Sequence, residues 1–265
     1  MEEKELIKSC LEGNKQSLTI LVKSVQGLVF NLSLRFLWER ADAEDATQEI
    51  LIRVITNLSK FKGNSKFNTW VYRIAANYLI SLKTTSLEKK LTSFDVFAAD
   101  LQTFKGPVEY ALPDKSLLEE ELKTGCTLAM LQCLDRDLRM AFILGSILKI
   151  KSSVAAKITG VKPDNFRKRV ELSRKLLGSF LNAHCGVYNT ANACRCSKRI
   201  NSALKCGQIN REQLNFADKV ESYNREMEEL DGLAGIYNQH NFKSTEDMTQ
   251  HLNALLENKS ILKQA

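Results

Sequence analysis

An all-α fold is what this sequence predicts, and three observations predict it. Glycine and proline are scarce, at 12 and 3 in 265 residues. Long stretches are built from Leu, Ile, Lys and Glu, mostly good helix formers. Apolar residues recur at spacings of three and four through most of the chain, the mark of amphipathic helices. With 44% hydrophobic and 26% charged residues, the composition is that of a globular protein. The length suits two or three small domains.

Each element can be justified in order. Leu18, Leu21, Val22, Val25, Val29, Leu32 and Phe36 fall on one helical face. Asp42 reads as the N-cap of the next helix, with Asp45 in the capping-box position. That helix turns Ala46, Ile50, Val54 and Leu58 inward. Lys60 to Lys66 contains Gly63, Asn64 and Ser65 and reads as a polar loop. A further helix carries Phe67, Val71, Ile74, Ala75, Tyr78 and Leu82 on its apolar side. These three or four helices make a first domain, residues 1–83.

From Thr84 to Pro113 the periodicity weakens, with Gly106-Pro107 and Leu112-Pro113 as breakers, so 84–116 reads as a linker with some helix. A second domain follows over 117–182. Within it, Ser152 to Ile158, the turn Thr159-Gly160-Val161, and Pro163 to Leu177 form a helix-turn-helix pattern. Gly160 permits the sharp turn and Pro163 suits a first helical position. Residues 183–265 form a third part, a helical C-terminal extension that contains cysteines.

Charge narrows the function. Nine cations and two acids between Lys149 and Lys175 give a local excess equal to the +7 of the whole chain. So tight a cluster suits a polyanion, nucleic acid or an anionic membrane. The acidic start Met1-Glu2-Glu3-Lys4-Glu5 is unlike a signal peptide. The apolar stretch from Leu18 to Phe30 is interrupted by Lys23, Ser24 and Gln26, so no membrane span is expected. Seven cysteines without an export signal point to reduced thiols or metal. A cytoplasmic protein is expected.

Two constellations carry chemistry. The first is acidic: Asp42, Glu44, Asp45, Gln48 and Glu49 gather at the start and along one side of a helix, where acids also suit the helix dipole. The second mixes cations with rings: Lys60, Phe61, Lys62, Asn64, Ser65, Lys66, Phe67, Asn68, Thr69, Trp70, Tyr72 and Arg73 surround a flexible loop. Single-stranded DNA calls for this mixture, cations for phosphate and flat rings for unstacked bases. Phe67 is expected to be packed; Phe61, Trp70 and Tyr72 are left open.

The run from Asp42 to Asn77 closely resembles the core-binding and promoter-melting domain of bacterial extracytoplasmic-function sigma factors. The resemblance is carried, in order, by Asp42-Ala43-Glu44-Asp45, Gln48-Glu49, Lys60-Phe61-Lys62-Gly63, Phe67-Asn68-Thr69-Trp70 and Arg73-Ile74-Ala75-Ala76-Asn77. Leu134 to Leu181 resembles the family's second, helix-turn-helix domain, and together the two cover roughly two thirds of the chain.

The resemblance implies that Asp42, Glu44, Asp45, Gln48 and Glu49 dock on core RNA polymerase. It implies that the loop from Phe61 to Thr69 captures a flipped base of the minus-ten element, with Lys60, Trp70, Arg73 and Asn77 facing the same DNA. In the second domain Lys162, Asp164, Asn165, Arg167 and Lys168 would reach base edges, and Arg169, Arg174 and Lys175 phosphates. Phe166, Val170, Ala155, Ile158 and Val161 read as core. The implied partners are core RNA polymerase and promoter DNA, with an anti-sigma factor as a third that such a protein can have. Neither catalysis nor a cofactor is required.

Three features depart from the family. Val154 replaces an acid, Leu172 stands where Arg is frequent, and the basic cluster after the first domain is thinned to Lys83 and Lys89-Lys90. In the extension, Cys185, Cys194, Cys196 and Cys206, with His184, offer donors for tetrahedral zinc. Their Cys-x-Cys spacing is not the usual one, so a thiol redox pair and plain buried or surface cysteines stay open beside zinc. His240 and His251 read as surface residues. A stand-alone helix-turn-helix regulator would account for Lys149 to Lys175 but not for Asp42 to Asn77. A metal-dependent enzyme finds no paired carboxylates, nucleophile elbow or phosphate loop.

Overall fold

A computed structural model describes residues 3–83, 93–102, 113–217 and Phe242. Ten α-helices and no strand occur among them, in agreement with the all-α expectation. The breakers Gly106-Pro107 and Leu112, the pair Lys89-Lys90, and His240 and His251 lie outside the described residues. The described residues fall into two compact units. One contains 3–82, 151–163 and Phe242, the other 83, 93–102, 113–150 and 164–217.

The first unit is built on α1 (Glu3–Leu11), α2 (Lys15–Leu37), α3 (Arg40–Thr56) and α4 (Phe67–Ser81). Asn14 caps α2 by accepting from the Ser17 N–H at 3.0 Å. By length and composition α2 could cross a membrane. Its apolar side is spent inside the fold instead, with Val25, Val29, Phe30, Leu32, Leu34 and Phe36 fully buried. Against them pack Ala43, Ile50 and Leu51 of α3 and Val71, Ala75 and Leu79 of α4. Each such valine, leucine, isoleucine or phenylalanine contributes about 1.5–3 kcal/mol of burial.

The start of α3 corrects one expectation. Its N-cap is Glu39, not Asp42, which lies in the first turn. Trp38 takes a φ of +69° and closes α2 by donating its N–H to the Leu34 carbonyl at 2.8 Å. Glu39 alone is extended before α3 begins. Arg40 then supports the first turn, pairing with Glu44 at 3.3 Å and lying 5.4 Å from the Phe30 ring centre.

In the second unit, α5 (Phe94–Gln102) lies within the stretch read as linker. Its Phe94 and Phe97 rings stand 5.1 and 5.7 Å from Phe180. Helix α6 (Lys115–Leu131) leads to α7 (Arg136–Phe142), which Asp135 caps through the Leu138 N–H at 2.8 Å. Arg139 is buried and donates to the carbonyls of Leu131, Gln132 and Leu134 at 3.0–3.2 Å. One guanidinium thus gathers three carbonyls at and just past the end of α6, of which Leu131 also accepts from the Leu134 N–H at 3.1 Å. A π turn, Ile143–Ile147, follows α7. A Cβ at Gly145 would come within 2.7 Å of Val170 and 3.3 Å of Phe166, so only glycine fits there.

Helix α8 (Ser152–Thr159) packs on α4 within the first unit. It ends at Gly160, whose φ of +72° is the left-handed C-cap that glycine adopts without strain. Pro163 opens α9 (Pro163–His184), seven residues longer than the sequence reading that ended at Leu177. Helix α10 (Cys196–Lys205) packs along α6, where Leu118, Leu122, Ile200, Ala203 and Ile209 form a buried cluster.

Candidate nucleic-acid interface

On α3 the structure brings the acidic residues together. Asp42, Asp45 and Glu49 follow at spacings of three and four, which places them on one face. Asp45 is exposed, and Asp42, Glu44, Gln48 and Glu49 are half-buried. The inward face holds Ala43, Ala46, Ile50 and Val54. Glu49 is paired with Arg53 at 2.9 Å, and Arg53 lies 4.7 Å from the Tyr78 ring centre on α4. Burial first, then the charges of Glu49 and Asp45, push the Tyr78 phenol above its ordinary value; Arg53 opposes them.

Between α3 and α4, Gly63 (φ +70°) turns an exposed loop in which Lys62, Asn64, Ser65 and Lys66 all face solvent. Three rings gather at its base. Phe61 stands 5.4 Å from Phe67 and 5.4 Å from Trp70, and Phe67 stacks on Trp70 at 5.7 Å. Phe67 is buried, as expected, while Phe61 and Trp70 stay half-exposed. Lys66, Trp70, Arg73 and Asn77 then line one side of α4 at spacings of four, three and four; Lys66, Arg73 and Asn77 are exposed. Asn68 is exposed, Thr69 half-buried, and Lys60 donates to Asn57 at 2.8 Å. Tyr72, left open by the sequence, departs from this surface. It is half-buried near Arg35, and burial raises its phenol.

Along α9, Asp164, Asn165, Arg167, Lys168, Arg174 and Lys175 are exposed, as is Lys162 just before it. Phe166 is buried and Val170 half-buried, with both side chains against Gly145. Arg167 is paired with Asp164. Arg169 is set apart from its neighbours by an ion pair with Asp137 at 2.9 Å. Leu172, the departure noted in the sequence, is 47% exposed in the middle of this basic helix.

The extension begins as part of the second unit. The Cys185 carbonyl accepts from the Asn189 N–H at 2.9 Å and from the Asn192 side chain at 3.2 Å. Any side chain at Gly186 would collide with the Cys194 carbonyl, so the two cysteine backbones are adjacent. Cys196 opens α10 and packs against the Leu118–Leu122 cluster of α6. The fourth thiol of this group is one the sequence reading did not include. Cys126 of α6 is raised by burial and then by Cys196, Cys185 and Cys194. Burial, then Cys194 and Cys185, pushes Cys196 up to about 12. Cys206 is exposed at the other end of α10. Among the described residues no three Cys, His, Asp or Glu side chains are arranged to hold an ion.

Two further residues escaped the sequence reading. Glu121 is buried on α6 and accepts from the N–H groups of Asn215, Phe216 and Ala217 at 2.7–2.8 Å. Asn31 of α2 is buried against Phe242. Neither lies in a motif, and only the distant backbone each one binds gives it a role.

Comparison with known proteins agrees with this geometry. Residues 21–85, which contain both the acidic face and the ring cluster, match the sigma-70 region 2 family. The RNA polymerase sigma-H factor of Pseudomonas aeruginosa is 26% identical over 185 residues, 68% of this chain and 94% of that protein. The ECF RNA polymerase sigma-E factors of Escherichia coli and Salmonella typhimurium are each 27% identical over 184 residues, 67% of this chain and 93% of theirs. About a third of this chain lies outside those matches. The stand-alone regulator draws no support from them. A region 2 domain at these residues, and similarity to sigma factors over nearly their whole length, support a sigma factor of the extracytoplasmic-function type, with a role in promoter recognition and transcription initiation.

Proposed function

We propose that the chain docks on core RNA polymerase through Asp42, Glu44, Asp45, Gln48 and Glu49, opens the minus-ten element with the loop and α4, and reads the minus-thirty-five element with α9. The ring cluster carries this reading. Phe67 is locked in the core and holds Trp70 and Phe61 at the surface, beside Lys66, Arg73 and Asn77. Half-exposed rings on a rigid helix offer stacking faces worth about 1–3 kcal/mol per base. That offsets the few kcal/mol lost when a base leaves its stack. The loop is turned by Gly63 and lined by exposed polar side chains, as a pocket for a flipped base requires.

On α9, Lys162, Asn165 and Lys168 occupy the N-terminal end, the part of a recognition helix that reaches base edges. Asp164 and Arg167 face the same end as an ion pair that base contact must open. Arg174 and Lys175, further along, suit phosphates. Arg169 suits a positioning role, since its guanidinium is engaged by Asp137.

The role is non-catalytic and belongs beside polymerase in the cytoplasm. An anti-sigma partner is kept as part of the proposal. Zinc at the C-terminal cysteines rests on donor chemistry alone, since thiols suit it, and strand opening passes through no metal. The whole reading is tested by mixing the purified chain with core polymerase. Stoichiometric association and promoter-dependent run-off transcripts are expected; failure of both would refute it.

A further inference from the structure

Asn31 and Phe242 are 211 residues apart in sequence, yet their polar groups meet in pairs. The Asn31 side-chain Nδ2 donates to the Phe242 carbonyl at 2.8 Å, and its Oδ1 accepts from the Phe242 N–H at 2.8 Å. The same amide is oriented from behind. Its Nδ2 also donates to the Gly27 carbonyl at 2.8 Å, and its Oδ1 also accepts from Arg35 Nη1 at 2.9 Å. A carboxamide has two donor hydrogens and two acceptor lone pairs. All four are used here, two by the helix that carries it and two by one backbone residue.

Arg35 completes the arrangement. Its guanidinium lies 5.0 Å from the Phe242 ring centre, a distance at which a cation is drawn to an aromatic face. A further bond from Nη1, to the Asn31 carbonyl at 3.2 Å, holds it on α2. Asn31, Arg35 and Phe242 are 7%, 4% and 6% exposed. Burial lowers the Arg35 guanidinium to about 10, with nearby Tyr72 opposing the shift, so it stays cationic at neutral pH. An amide and a guanidinium on the buried side of an otherwise apolar helix are costly unless partnered. The partner is a backbone N–H and C=O for the amide and a ring for the cation.

We propose that Asn31 and Arg35 of α2, flanked by Tyr72 of α4, form a peptide-binding site for a phenylalanine whose own N–H and C=O are free to pair, and that Phe242 is its resident occupant. Phe242 is then an intramolecular ligand of the region 2 unit. Asn31 reads backbone and is indifferent to sequence; Arg35 reads the ring and supplies selectivity. A second peptide with an aromatic residue in the same backbone state competes for the site.

The test uses the full chain and a fluorescein-labelled synthetic peptide of residues 236–248, read by fluorescence anisotropy. Phe242→Ala, whose backbone can still pair but whose ring contact with Arg35 is vacated, is expected to bind the peptide. The wild-type chain, whose own segment is present at high effective concentration, is expected to bind at least about tenfold more weakly. Phe242→Ala combined with Asn31→Asp, which removes the donor to Phe242 while leaving an acceptor for Arg35, is expected to lose about tenfold or more. Equal binding to wild type and Phe242→Ala, or undiminished binding to the double variant, would overturn the proposal. So would no binding to Phe242→Ala whose circular dichroism and thermal melt match wild type. Should Phe242→Ala fail to fold, hydrogen exchange of the wild-type Phe242 amide decides. Protection that Asn31→Leu, which removes the acceptor of that N–H, abolishes supports the site, and exchange of the wild-type amide at the free-chain rate refutes it. Neither readout involves polymerase, so the outcome stands apart from the promoter-binding reading.

Discussion

Glu49 and Arg53 form a 2.9 Å ion pair one turn apart on α3, and the Arg53 guanidinium covers the Tyr78 ring of α4. The acidic face is therefore not uniform: Glu49 is engaged from below, whereas no ion pair joins the exposed Asp45 among the described residues. Exposed pairs of this kind contribute about 0–1 kcal/mol to stability, so both acids can be altered without unfolding the domain. Asp45→Lys and Glu49→Lys are each expected to weaken association with core polymerase by about tenfold or more, with melting temperatures close to wild type. Unchanged association in a pull-down would remove these residues from the docking surface.

Phe67 and Trp70 stack at 5.7 Å but differ in burial, and their variants should differ in kind. Phe67→Ala is expected to cost about 3–5 kcal/mol of folding stability through the cavity it leaves. Trp70→Ala is expected to fold and to bind duplex promoter nearly as before, while losing permanganate-reactive thymines at the start site. Equal loss of duplex binding and of opening would argue against a base-stacking role.

On α9, the exposed Lys168 and the paired Arg169 give a graded test. Lys168→Ala should weaken holoenzyme binding to the minus-thirty-five element and lower the salt slope by about one. Arg169→Ala should change the slope less, and its loss should show in the thermal stability of the second unit. Gel-shift titrations over a series of salt concentrations measure both.

Arg139 donates to three backbone carbonyls at the end of α6 and is 2% exposed. Arg139→Met keeps the apolar stem but takes the guanidinium from all three; Leu131 keeps the Leu134 N–H, and each of the other two losses costs about 1–3 kcal/mol. A loss of about 3 kcal/mol or more is expected by denaturant unfolding. A change below about 1 kcal/mol would show that other groups or water satisfy those carbonyls.

The thiols are predicted to separate by reactivity. Cys206 is exposed, while burial and the neighbouring thiols push Cys196 up to about 12 and raise Cys126 as well. At pH 8 those two remain thiols, and the thiolate is the reactive form. Cys206 should be modified by a disulfide reagent in the native protein, and Cys126 and Cys196 only on unfolding. Metal analysis of the same samples tests zinc: near-zero content in wild type and in Cys194→Ser/Cys196→Ser alike would dispose of it.

Much of the first unit was legible because its signals are local. The period of α2, the polar loop at Gly63 and the buried Phe67 each follow from neighbours a few residues away. The start of α3 was misplaced because its cause, a tryptophan at positive φ, has no residue preference to announce it. Tyr72 was ambiguous for a related reason: only the position of Arg35 on another helix shows which way it faces. Cys126, Glu121 and Asn31 were invisible in principle. Each acquires its role from backbone or thiols far along the chain, brought near by the packing of α10 on α6 or by the seat of Phe242 on α2.

The most direct test of the central claim is permanganate footprinting of promoter DNA with core polymerase, with and without the purified chain. Reactive thymines upstream of the start site, appearing only when both proteins are present and accompanied by a run-off transcript, are the predicted result. A duplex that stays closed with both present, although the chain is folded, would contradict it.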